Sequence, residues 1–222
     1  MQRTRDLGYR LCKMKIGGAD LETDRRRIEW ALSVVGDGDN LAVDANGRFG
    51  LDEALAYGRM VAEFGLCWFE EPVDPLDYRA HAVLADELDV DIATGENLFS
   101  VQDYRNLLRH GGLRPTRDWL QPDPALAYGL TECLEIIALA EAMGWSRSRV
   151  VPHGGHQMGL HMAIGLGLGG TESYPGVFRP YGGVADAAEI VNRLIKPPQE
   201  PGLGIEAMSE LFADMQRNLG ID

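Results

Sequence analysis

Asp44, Glu70 and Glu96 recur at one interval, since 44 to 70 and 70 to 96 are both 26 residues. Each closes a short apolar run (LAVD, LCWFE, VDIATGE), so three carboxylates hold equivalent places in three successive units. Carboxylates converging on one spot raise one another's pKa severely, and a divalent cation removes the conflict. Oxygen-only ligands with room for water and a substrate suit Mg2+ better than Zn2+. Upstream, KMK sets Lys13 and Lys15 on one face of a strand, because side chains two apart share a face. Such a pair is costly unless anions answer it, or else it guards a solvent-facing edge strand. Downstream, Asp123 ends DWLQPD, His153 follows RVVP and Glu172 follows GGT. A carboxylate behind an imidazole fixes its tautomer and favours the charged form, which makes Asp123 and His153 a candidate acid or base. Taken singly, Asp44 before Ala-Asn-Gly reads as a turn former, Glu70 or Glu71 before Pro72 as a surface group, and His153 as a core-capping histidine. Their joint order is what points to chemistry.

These residues need elements to bring them together. Seven apolar runs, LCKMKI, LAVDA, LCWFEEP, VDIATGE, DWLQPD, RVVPHG and GGTES, alternate with helical patterns, including 20–35, 51–64 and LTECLEIIALAEAMG. Strand and helix alternating at this pace predict a parallel sheet with right-handed crossovers. The pace, about 30 residues per unit, is that of an α/β protein of the (β/α)-barrel type, incomplete here with about seven strands. In such barrels chemistry sits at the carboxyl ends of the strands, where every residue named above falls. A doubly wound sheet is the alternative, but no glycine-rich phosphate turn follows an early strand. GLGLGG at 165–170 precedes a strand and opens no helix, so it reads as close packing. His156 and His161 are expected on the helix after His153 and carry no assigned role; a zinc site from the three histidines lacks the usual spacing. Residues 1–196 form the expected barrel domain, and the proline-rich KPPQEPGLGIE stretch opens a separate segment, 197–222, ending in a helix over 208–219.

The chain of 222 residues is long enough to bury about 70% of its unfolded surface. A net charge of −13 and a pI of about 4.8 argue against nucleic acid or an anionic membrane as partner. An anionic small molecule then needs a locally positive site. Cys12, Cys67 and Cys133 are odd in number and sit in apolar runs, as expected of free thiols in a reducing, cytoplasmic setting. No segment reaches the ~18 apolar residues of a membrane span, and MQRTRDLGYR lacks a signal peptide's apolar stretch.

KMK at 13–15, VDANG at 43–47, WFEEP at 68–72, ATGEN at 93–97, QPD at 121–123, PHG at 152–154 and ESYP at 172–175 together resemble the enolase superfamily, mandelate racemase subgroup. That resemblance implies an enolase-type barrel with Asp44, Glu70 and Glu96 holding Mg2+, which stabilises the enediolate formed when an α-proton leaves a carboxylic acid. It implies Lys15 as the base, with Lys13 beside it helping to bare the Lys15 amine and to bind the substrate carboxylate. It implies His153, backed by Asp123, as the acid that expels a β-hydroxyl, and Glu172 as a hydrogen-bond partner of the substrate carboxylate. The activity implied is dehydration of a small 2-hydroxy or sugar acid, with D-tartrate to oxaloacetate favoured by EEPVDPLDY, ATGENLFS and ESYPGVF. Alternatives are another acid-sugar dehydratase, a racemase using Lys15 and His153 on opposite faces, or a Mg2+-binding remnant without turnover. Members of that subgroup carry a capping domain and a first barrel strand ahead of the KMK strand, and here the chain starts almost at that strand. The expectation is a fragment with two unpaired strand edges, a 197–222 segment that would face the capping domain, and a homo-oligomer for the full-length form.

Overall fold

The computed structural model describes residues 1–174 and 176–220; Pro175, the last residue of ESYP, and residues 221–222 lie outside the described residues. After a short N-terminal helix, α1 (Gln2–Asp6), strands and helices alternate: β1 (Cys12–Lys15), α2 (Leu21–Val35), β2 (Leu41–Asp44), α3 (Leu51–Ala62), β3 (Trp68–Glu70), α4 (Tyr78–Glu87), β4 (Ile92–Thr94), α5 (Val101–His110), β5 (Trp119–Leu120) and α6 (Leu130–Ala142). The five strands pair in chain order, all parallel. Then come α7 (Gln157–Leu166), the antiparallel pair β6 (Ile190–Val191) and β7 (Leu194–Ile195), and α8 (Ser209–Leu219).

Local chemistry sets the helix ends. Asp20 caps α2 by accepting from the Thr23 N–H at 2.8 Å, Asp77 caps α4 and Ser100 caps α5 in the same way. The buried face of α2, Asp24, Ile28, Ala31 and Val35, follows the spacing of one helical stripe. Both faces of the sheet are covered, as parallel sheets require. Val43, Phe69 and Ile92 point out toward Ile28, Ala31 and Leu84, while Ala42, Trp68 and Ala93 point in and cluster with Leu11, Cys67 and Trp119. The period of two therefore places Asp44 above Ala42 and Glu70 above Trp68 on the inner face, stacked over an apolar plug.

The parallel α/β architecture agrees with the sequence, but among the described residues the parallel sheet has five strands and not seven. The sixth apolar run contributes one bridge, Val150 beside Leu120, and the seventh, around Glu172, forms no strand among the described residues, although its Glu172 N–H donates to the Pro152 carbonyl at 3.2 Å. Proline accounts for the shortening between the fifth and sixth runs: Pro122, just after β5, and Pro152, inside RVVPHG, lack the N–H that a ladder needs. The two ends of the sheet still approach, with the Tyr9 hydroxyl 2.6 Å from Ser173 Oγ. Of the 165–170 glycines, Gly169 lies pressed on the Ser148 carbonyl, whereas Gly165 and Gly170 border open space, so close packing accounts for one of them. All three cysteines are free thiols. Among the described residues no helix is long and apolar enough to cross a membrane.

Candidate active site

Strand register builds the first row of the site. Lys15 lies opposite Asp44, and Asp44 opposite Glu70, so adjacent strands deliver a cation and two carboxylates side by side. Glu96 needs a different device, since strict alternation from inward Ala93 would turn it outward. Gly95, at φ 129°, redirects the chain, and a side chain there would strike the Tyr104 hydroxyl. Carboxylate oxygens of Asp44, Glu70 and Glu96 consequently lie within 4.8 Å of one another.

The lysines answer these charges. Lys13 Nζ contacts Glu70 and Glu172 and lies 3.5 Å from Asp44, while Lys15 Nζ contacts Asp44. Their surroundings differ: the Lys13 side chain is 17% exposed and that of Lys15 59%. Burial tends to lower the Lys13 pKa, but Glu70, Glu172 and Asp44 outweigh it and hold the ammonium well above its ordinary range. Asp44 is buried, yet Lys13 and Lys15 keep its carboxyl below the usual value. Glu70 is pushed up by burial, assisted by Asp44 and Glu172 and opposed by Lys13. It accepts from Trp68 Nε1 at 2.8 Å and Gln121 Nε2 at 2.9 Å.

Across the mouth, His153 Nδ1 lies 2.8 Å from Asp123 Oδ2, and its Nε2 lies 3.1 Å from Glu96 Oε2 and 3.2 Å from the Tyr174 hydroxyl. That hydroxyl donates to Glu172 Oε2 at 2.7 Å, an oxygen that also accepts from the Gly154 N–H at 3.1 Å. Burial opposes a charged imidazole, but Asp123, Glu172 and Glu96 together raise the His153 pKa. Burial would raise Asp123, and its hydrogen bonds from His153 and His156 hold it low instead.

All eight residues singled out in the sequence thus meet in one mouth: Lys13, Lys15, Asp44, Glu70, Glu96, Asp123, His153 and Glu172. Sequence reasoning missed their supports. Asn46 donates to Glu96 Oε1 at 3.1 Å, Asn97 donates to Glu71 Oε2 at 2.8 Å, and Glu71, fully buried at φ 37°, is pushed up to about 7 by burial and by the charge of Glu96. Tyr174 was discoverable, lying two residues beyond Glu172 in the ESYP motif. His156, expected on the helix and without a role, is instead the N-cap of α7 and reaches Asp123 at 3.0 Å; His161 lies on α7 and meets the Leu203 carbonyl at 3.1 Å.

The donor set fits a divalent cation. It is all oxygen and buried, and among the described residues Glu96 Oε2 receives no hydrogen bond, with His153 Nε2 3.1 Å away. A model of the family described as enolase C-terminal domain-like matches residues 1–211. The chain belongs to that family. Among its relatives, the L-talarate/galactarate dehydratase of Salmonella typhimurium is 34% identical over 165 residues, 74% of this chain and 40% of the relative. The 3,6-anhydro-alpha-L-galactonate cycloisomerase of Streptomyces coelicolor is 32% identical over 198 residues, 89% of this chain and 53% of the relative. Among solved structures, L-talarate dehydratase from Polaromonas sp. JS666, complexed with Mg and L-glucarate, superposes with a TM-score of 0.77 at 31% identity, covering 91% of this chain and 54% of that one. The chain therefore spans roughly half the length of these enolase-family relatives.

Proposed function

We propose that these residues form the catalytic barrel of a Mg2+-dependent dehydratase of a 2-hydroxy or sugar acid. One observation carries the reading: three clustered carboxylates with Lys15 touching the Asp44 end and His153 touching the Glu96 end. The dehydratase relatives and the Mg-complexed neighbour support it. Asp44, Glu70 and Glu96 would hold Mg2+, which supplies Lewis-acid stabilisation of the enediolate. Lys15 Nζ, at the Asp44 end, takes the α-proton. Lys13 and Glu172 fix the carboxylate end. The β carbon–oxygen bond breaks with its electron pair on oxygen, and His153 Nε2, held by Asp123, gives that oxygen a proton so that water leaves. The resulting enol tautomerises to a 2-keto acid.

D-tartrate, giving oxaloacetate, is the finer proposal and rests on the wording of the motifs. In the same reading, 1–196 is the catalytic domain and 197–222 a separate closing segment. A second reading is proton transfer without elimination, as in a racemase or cycloisomerase; opposed placement of Lys15 and His153 suits it, and the cycloisomerase relative favours it. Proton NMR in D2O with Mg2+, tartrates, galactarate and talarate separates them. A dehydratase loses the α-proton signal and accumulates keto acid, and Lys15→Met abolishes both. Exchange without keto acid favours the second reading, and neither signal with any acid sinks both.

A further inference from the structure

His153, Gly154, Gly155 and His156 form one tight turn that grips Asp123 from two sides. The backbone N–H of Gly159, which can only donate, lies 3.1 Å from His156 Nδ1. Nδ1 must therefore be the bare nitrogen, and the ring proton sits on Nε2, which donates to Asp123 Oδ1 at 3.0 Å. That oxygen also accepts from the Ala125 N–H at 2.7 Å. Asp123 is left with Oδ2 aimed at His153 Nδ1, 2.8 Å away, and a carboxylate there demands a proton on Nδ1. Gly154, at φ 97°, passes so close over this junction that a Cβ would stand 2.6 to 2.8 Å from His156 Cδ2, His156 Nε2 and Asp123 Oδ2. The backbone is kept bare where the two side chains meet.

We infer that His156 is a positioning residue, which orients Asp123 and thereby fixes the tautomer that leaves His153 Nε2 facing the reacting oxygen. The kinetic arm of its test rests on the dehydratase reading; the spectroscopic arm does not. Two variants separate capping from positioning. His156→Asn keeps a good N-cap for α7 but is too short to reach Asp123. His156→Gln reaches Asp123 with an amide N–H.

Imidazole 1H–15N correlations of the labelled chain should show His153 with its proton on Nδ1 and His156 with its proton on Nε2. In His156→Asn, with the α7 amide signals retained, the His153 Nδ1 proton should move upfield and exchange faster. With Mg2+ and D-tartrate or galactarate, elimination relative to α-deuterium exchange should fall roughly tenfold or more, and His156→Gln should restore most of it. Unchanged His153 ring signals in His156→Asn, an equal loss of elimination and exchange, or a Gln variant no better than Asn would overturn the inference. Wild-type chain inert toward both acids would count against the dehydratase reading, while the ring signals would still decide the tautomer.

Discussion

Among single residues, Glu96 has the clearest division of labour. One of its oxygens accepts from Asn46, and the other, 3.1 Å from His153 Nε2, receives no hydrogen bond among the described residues. Replacing it by Gln removes one of three anionic ligands, so the Mg2+ dissociation constant measured by calorimetry should rise at least roughly tenfold. Cation-free stability should not fall, because one charge leaves a crowded pocket; an unchanged dissociation constant removes Glu96 from the ligand set. Asp44, Glu70 and Glu96 were legible because sequence spacing repeats with the βα unit, and Lys13 and Lys15 because a strand's period is two. Glu71, Asn97 and His156 were not, since each depends on a turn whose backbone angles are unusual: Glu71 sits at φ 37°, Gly95 at 129° and Gly154 at 97°.

Elements show the same division. The α2 pattern and its Asp20 cap were readable from local chemistry, and the observed helix, Leu21–Val35, begins one residue after the predicted start. Asp20→Ala should cost about 1 kcal/mol in urea unfolding, and Ile28→Ala, at a fully buried position, about 2 to 5 kcal/mol. Comparable losses from the two variants would contradict the placement of Ile28 in the core and Asp20 at its edge. The two last strands were over-predicted because apolar runs do not reveal whether a neighbour can donate. Pro122 and Pro152 supply no ladder donors, so the sixth run keeps one bridge and isolated backbone bonds such as His153 N–H to the Pro122 carbonyl.

For the whole molecule, acid sensitivity has a source outside the site. His81 is fully buried; its Nδ1 lies 3.0 Å from the Asp77 carbonyl and its Nε2 has no partner among the described residues. Burial pushes its pKa below the ordinary 6.5. The unfolded chain therefore takes up a proton first as pH falls below 6.5, so this contribution is complete above that value and is lost as pH descends toward the folded pKa. Urea unfolding should reveal a loss of at most about 1.4 kcal/mol per pH unit there, flattened in His81→Leu; an identical slope in the variant would assign the effect to other groups. A different consequence follows from Lys13, whose contact with Glu172 spans 159 positions of sequence. During synthesis β1 and the nearer carboxylates that face Lys13, those of Asp44 and Glu70, emerge long before Glu172. The Lys13–Glu172 end of the site is complete only when that last long-range contact is made.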